Sequence, residues 1–453
     1  MSLLADLHQQ LAQSIERHGV PGAAVAVWCD GHLHETSAGV ANAHTRVHTT
    51  PDTIFQIGSI TKSFTATLAL QLVEQGKLSL DAPIAAYLPQ LQLAERDVPA
   101  AITIRHLLAH SSGIDGDLLT DTGRDADALA RFVASLGSVR QLHPAGELLS
   151  YCNLGYNILG RVLEAVSGEV WDDLLRQRIL TPLGLTRAVT SADAALRHRV
   201  AIGHVRGEGG EPQRVDSPFA PRSNGPSGMT MACTARELVI FGRAHLDGGC
   251  GPDGARILSQ TSIATMRTLQ TANAYSDKYR GWGLGWMLFD EAAQRMFGHD
   301  GGACGNCAFL RILPGARTIV ALLVNHERGM GVYRDLFASR LATLAGIDPP
   351  VQLAMPARTP DGVELAPYAG SYRRHGQIID LELDAQRRLA GRLHGEYVGA
   401  SDVKLELAAF DAKRFVAAAA GTLVPVHFSG FDERGRPARL HVTDRVFIRH
   451  DPA

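Results

Sequence analysis

No stretch of this sequence approaches the roughly 18 consecutive apolar residues that a bilayer-spanning helix needs. The opening, MSLLADLHQQLAQSIERHG, also lacks the basic start, long apolar centre and small-residue cleavage site of a secretory leader. It reads instead as an amphipathic helix with Leu4, Leu7, Leu11 and Ile15 on one face, and a cytoplasmic location is expected. Neither sign of charge is in excess. Lys and Arg number 44 against 46 Asp and Glu, so nucleic acid and membrane surfaces are not expected partners. The six cysteines (Cys29, Cys152, Cys233, Cys250, Cys304 and Cys307) are too scattered for a disulfide framework and suit a reducing compartment. Cys304-x-x-Cys307 supplies two ligands where structural zinc takes four, so no metal is expected. There is no solenoid period, no low-complexity tract and no G-x-S-x-G nucleophile elbow. Gly281, Gly283 and Gly285 lie in a strand-like run with no helix behind it, which excludes a dinucleotide loop and leaves no cofactor implied.

What is present suits a large soluble protein. At 453 residues, 45% hydrophobic and 20% charged, the chain can bury two or three domain cores. Residues 22–48 hold two short runs around a Cys29-Asp30-Gly31 turn, a hairpin pattern. Residues 59–76 have apolar positions Phe64, Leu68 and Leu72 at helical spacing. From about 80 to 220 the texture is mainly helical, with segments 102–110, 126–136, 154–167 and 170–180; another helix is expected at 236–247. Runs 282–289, 307–313 and 318–325 then read as buried antiparallel strands, and 331–345 as a closing helix. The expected architecture over 1–346 is therefore an α/β fold, an antiparallel sheet built from both chain ends with an inserted helical domain. A proline-rich stretch at 347–362 reads as a linker, and the short alternating segments of 363–453 as an antiparallel β-barrel.

Three elements carry chemistry. Ser59-Ile60-Thr61-Lys62 opens a helix, where positions i and i+3 share a face about 5–6 Å apart. A lysine amine with a lowered pKa can take the proton of a serine hydroxyl and make it a nucleophile. The helix start adds free N–H groups for a developing oxyanion. Further along, Tyr151-Cys152-Asn153 offers a phenol whose pKa a nearby ammonium would lower, for proton relay, and an amide to hold a substrate carbonyl or the lysine. Later, Gly298-His299-Asp300-Gly301-Gly302 precedes a strand, and its glycines let backbone approach a ligand, with Gly302 N–H as a second oxyanion donor.

In this order, S-x-x-K, Y-x-N and [KH]-x-G resemble the serine β-lactamase and penicillin-binding-protein superfamily, including DD-peptidases and family VIII esterases. The surrounding text FQIGSITKSFTATLALQLVEQGKLSLDAPI, ITIRHLLAHSSGI, GPSGMTMACTARELVIFG and YRGWGLGWML is similar too, over roughly residues 10–345. The resemblance implies Ser59, Lys62 and Tyr151 as catalytic residues, with Asn153, His299, Gly301 and Gly302 around the oxyanion and substrate. His299-Asp300-Gly301 replaces the Lys-Thr-Gly of secreted β-lactamases, which favours the peptidase, esterase and acyltransferase branches. The tail from LAPYAGSYRR resembles the lipocalin-like domain of D-aminopeptidases and of thioesterases that cyclise nonribosomal peptides. The implied activity is acyl transfer from a peptidyl amide, ester or thioester next to a D-residue, a thioester arriving on a carrier protein. A carboxylesterase with weak β-lactamase activity is the alternative. From another class, a non-turnover scaffold or ligand sensor is opposed by the joint presence of Ser59, Lys62 and Tyr151.

The remaining candidates are weaker. His106 and His110 are four apart without the glutamate of a zinc protease, so packing is expected. Trp282 and Trp286 suit either cleft lining or core. Arg445 and Arg449 lie on the last strand of the tail. Both are candidates for gripping a substrate carboxylate if the barrel leans over the site; the plainer reading, favoured here, is a surface arginine paired with Asp444 or Asp451.

Overall fold

The computed structural model describes residues 4, 6–275, 279–290, 295–348, 353–396, 402–419 and 421–450. Asp451 and residues 349–352 of the proline-rich stretch lie outside them. Apolar runs from the two chain ends meet in one antiparallel sheet of eight strands. Its spatial order is His32–Gly39, Gly22–Cys29, Thr318–Val324, Asn306–Leu313, Phe297–Ala303, Met287–Leu288, Gly281–Trp282 and Thr271–Ala272. The central strands are buried on both faces, which is why they read as continuous apolar runs and not as alternations. Ala23, Val25 and Val27 pack with Leu7, Leu11 and Ile15 of the first helix and with Val332, Phe337 and Leu341 near residue 345. Ala24 and Ala26 face the other way, onto Phe64, Leu68, Leu238 and Phe241 of helices Thr61–Glu74 and Ala235–Leu246.

The helical region between these chain ends is built from short pieces, of which Asn153–Ser167 is the longest between residues 80 and 220. Its start is set by Cys152, whose Sγ accepts from Gly155 N at 3.3 Å. Two sequence expectations need correction. Residues 282–289 are not one strand: Gly281–Trp282 and Met287–Leu288 are paired halves of a tight hairpin. His299, Asp300 and Gly301 do not precede a strand but lie within Phe297–Ala303.

The tail folds as a closed eight-stranded antiparallel barrel, with Gly370–Arg374 returning to Arg445–Arg449 to complete the ring. Tyr368, Tyr372, Phe415, Phe428 and Phe447 belong to its interior. Two of its turns touch the larger domain. His375 N donates to Asp115 Oδ2 at 2.7 Å, and Tyr151 N donates to the main-chain oxygen of Asp444 at 2.7 Å. The barrel therefore sits against the loop that carries Tyr151.

Candidate active site

Ser59 lies in the single 3-10 turn Gly58–Ile60 that leads into Thr61–Glu74, so Lys62 projects from the first turn of that helix. Lys62 is completely buried, and its Nζ stands 3.1 Å from Ser59 Oγ. Two further oxygens surround the amine: Asn153 Oδ1 at 2.6 Å and the carbonyl of Ser227. Burial drives the Lys62 ammonium well below the usual lysine range; Asp117 opposes this and Arg445 reinforces it. A neutral amine has two N–H bonds and one lone pair. Asn153 and Ser227 each accept an N–H bond from the Lys62 nitrogen, and Ser59 Oγ stands at a third position around it.

Tyr151 hydrogen-bonds Ser59 through its hydroxyl, and Lys62 Nζ lies 4.9 Å from its ring centroid. The sequence suggested a phenol acidified by a neighbouring ammonium. The opposite holds: burial raises the Tyr151 pKa above its ordinary value, against the lowering by Ser59 and Arg445. Desolvation of the phenol outweighs both. His110 fixes the tyrosine. Its ring stacks on Tyr151 at 4.2 Å, its Nδ1 accepts from Cys152 N at 3.1 Å, and its carbonyl accepts from Ser150 N at 2.9 Å. His106 instead caps its own helix, with Nδ1 accepting from Thr103 N, so the two histidines serve packing and capping. Among the described residues no group of three or more His, Cys, Asp or Glu side chains is placed to hold a metal.

The strand Phe297–Ala303 forms the opposite wall. Its ladder with Met287–Leu288 involves only Phe297 and Gly298, so the edge beyond is left to the Ser59 turn. Contact there is backbone to backbone. A Cβ on Gly301 would sit 1.9 Å from Ile57 O and 3.3 Å from Ser59 N; one on Gly58, whose φ is +51°, would sit 2.4 Å from Gly302 N. The N–H-bearing atoms of Ser59 and Gly302 are thus brought to one place. His299 is buried, donates from Nδ1 to Asp300 O, and meets Trp282 edge-on at 5.1 Å. Burial, helped by Lys62, lowers its pKa to about 3, so the imidazole is neutral. Asp300 turns to the buried Arg311 at 2.5 Å. Trp282 is fully buried beneath His110, Tyr151 and His299, whereas Trp286 packs in the core with Phe241 and Phe297.

Arg445 corrects the favoured sequence reading. It does not pair with Asp444; its Nε donates to Asp117 Oδ2 at 2.7 Å, and its guanidinium lies 5.0 Å from the Tyr151 ring centroid. Asp117 also accepts from Arg374 at 3.0 Å and from Asn153 Nδ2 at 2.6 Å. Burial would raise the Asp117 pKa, but Arg445 and Arg374 prevail and lower it, so it is a carboxylate. Arg449 stays with the barrel, donating to Pro367 O at 2.8 Å and Ala369 O at 2.6 Å.

Residues 7–345 match the family described as Beta-lactamase. The chain belongs to that family. "Penicillin-binding protein 4" of Amycolatopsis lactamdurans is 44% identical over 362 residues, spanning 79% of this chain and 94% of its own. Among solved structures, SurE superposes with a TM-score of 0.76 at 29% identity, covering 98% of this chain and 99% of that one, so the likeness includes the barrel. The octameric penicillin-binding protein homologue from Pyrococcus abyssi, at 23% identity and a TM-score of 0.65 over 98% and 100% of the two chains, shares the fold. Within this Beta-lactamase-family chain, the S-x-x-K, Y-x-N and H-x-G elements converge on one cleft. Asp117, Ser227, Arg374 and the role of His110 were not identified from sequence. The glycine-rich stretch around Ser227 offered a signal, since Gly228, at φ +110°, lies against the Gly58 carbonyl. Asp117 offered none, being one aspartate in a polar loop.

Proposed function

We propose that this chain is a serine acyl-enzyme hydrolase or acyltransferase acting on a peptidyl amide, ester or thioester beside a D-residue. The carrying observation is the buried Lys62 amine 3.1 Å from the Ser59 hydroxyl, with the Asn153 and Ser227 oxygens also accepting from it. Lys62 takes the proton as Ser59 Oγ bonds to the acyl carbon. The oxyanion forms between the N–H groups of Ser59 and Gly302. As the bond to the leaving group breaks, Tyr151 donates its proton to that group and recovers one from the Lys62 ammonium. Water or an amine then attacks the acyl-enzyme by the reverse path. His299 is neutral and cannot supply a cation for a substrate carboxylate; Arg445, reaching over from the barrel, can. The preference for a D-residue is supported by SurE, which has been solved with D-Leu.

Intact-protein mass spectrometry with a chromogenic ester tests the reaction. An adduct of acyl mass on the native chain, absent from Ser59→Ala, is expected together with turnover. An adduct that never turns over would make the chain a sensor instead. A linear peptide thioester separates the two outcomes of deacylation, since a cyclic product marks aminolysis and the free acid marks hydrolysis.

A further inference from the structure

The C-terminal barrel is only partly filled by its own side chains. At the end remote from the cleft, the rings of Tyr368, Tyr372, Phe415 and Phe428 close the base, with centroids 4.8 to 5.9 Å apart. Toward the cleft the inward positions shrink. Along Arg414–Ala419 they pass from Phe415 to Ala417 to Ala419, and along Thr422–Phe431 Phe428 gives way to Val426 and Val424. A cavity of about 370 Å³ is left, with aliphatic walls from Leu405, Leu407, Ala417 and Val426. The polar groups on its lining, Asp117, Asn153, Gln377, Thr443 and Arg445, belong to the mouth. An eight-stranded barrel is just wide enough to be filled by side chains or to hold one small ligand. Here the small residues leave room for the ligand, and the opening lies beside Asn153, which is 2.6 Å from Lys62.

We propose that this lumen receives an aliphatic chain of the substrate, its polar end at Arg445 and Asn153 and its hydrocarbon body inside the barrel. The inference rests on the reaction assigned to Ser59 and adds the class of group that flanks the scissile bond. A fatty acyl chain and a leucine-like side chain share this chemistry. Each methylene moved from water into the lumen is worth about fourfold in kcat/KM.

Two substrate series distinguish the sources. With p-nitrophenyl esters from acetyl to octanoyl, kcat/KM is expected to climb about fourfold per methylene if an acyl chain is bound. With D-alanyl and D-leucyl p-nitroanilides, a gain confined to the D-leucyl compound assigns the lumen to a side chain. Ala417→Leu, which fills the cavity, should flatten whichever series responds and raise the melting temperature; Val426→Ala should extend the response to longer chains. Fluorescent dansyl-undecanoate should bind the native chain and Ser59→Ala alike, and lose affinity in Ala417→Leu. Binding of this kind without turnover of any substrate would sink the assigned reaction and leave the lumen site standing. Flat series in the native chain, or a response unchanged in both lumen variants, would overturn the proposal.

Discussion

In the proposed mechanism Lys62 is useful only without its proton, and its surroundings favour that state. Among the described residues no carboxylate hydrogen-bonds to it. Asn153 and Ser227 offer neutral oxygens, while the charge of Asp117 is already taken by Arg374 and Arg445. Lys62→Arg keeps a cation on a side chain that cannot deprotonate, so acylation should fall by about 10³-fold while the fold persists. Pre-steady-state release of p-nitrophenol measures this. The pH profile follows with a definite sign. Free amine accumulates as pH rises through the lowered Lys62 pKa, so kcat/KM should rise along one limb placed well below the usual lysine range. Tyr151 keeps its proton beyond the ordinary tyrosine range, so no alkaline loss should appear before it. His299, with a pKa of about 3, should add no inflection near pH 6.5. A bell centred on neutrality would assign the base to another residue.

At the scale of elements, the site depends on how closely the strand Phe297–Ala303 approaches the Ser59 turn. Gly301→Ala places a methyl group against Ile57 O, where the space is 1.9 Å. The strand must withdraw, taking Gly302 N–H with it. The expected result is a loss of about 10²-fold in kcat, comparable to removing one oxyanion donor, with a lower melting temperature. Unchanged kcat with a lowered melting temperature would show that Gly302 plays no part in the chemistry. The elements themselves were largely legible. Buried strands Gly22–Cys29, Asn306–Leu313 and Thr318–Val324 announced themselves as apolar runs, and helix Asn153–Ser167 by its periodicity. The hairpin across residues 281–288 was not legible, because both halves and the turn between them are buried and a turn inside a core carries no polar residues.

For the whole molecule, the contact between barrel and larger domain is also a contact within the site. Asp117 joins Asn153 on one side to Arg374 and Arg445 on the other. Asp117→Asn leaves two arginines without their shared counter-ion, and a cost of about 3 kcal/mol is expected from denaturant unfolding. Because Asn153 also holds Lys62, the same variant should lower kcat, whereas Arg439→Ala, at the more exposed pair with Glu147, should leave kcat unchanged. Equal effects of the two variants would mean that Asp117 serves docking alone.

By itself the sequence determined the spacing of Ser59 and Lys62, since a helix places residues three apart on one face whatever surrounds them. It also determined which segments are apolar enough to be buried, and hence both the sheet and the barrel. Only the tertiary structure decided which way the pKa values move, because desolvation of Lys62, Tyr151 and His299 comes from neighbours distant in the chain. It likewise decided the partner of Arg445. A charge at residue 445 had nearby aspartates to choose from, and the fold delivered Asp117, 328 positions away.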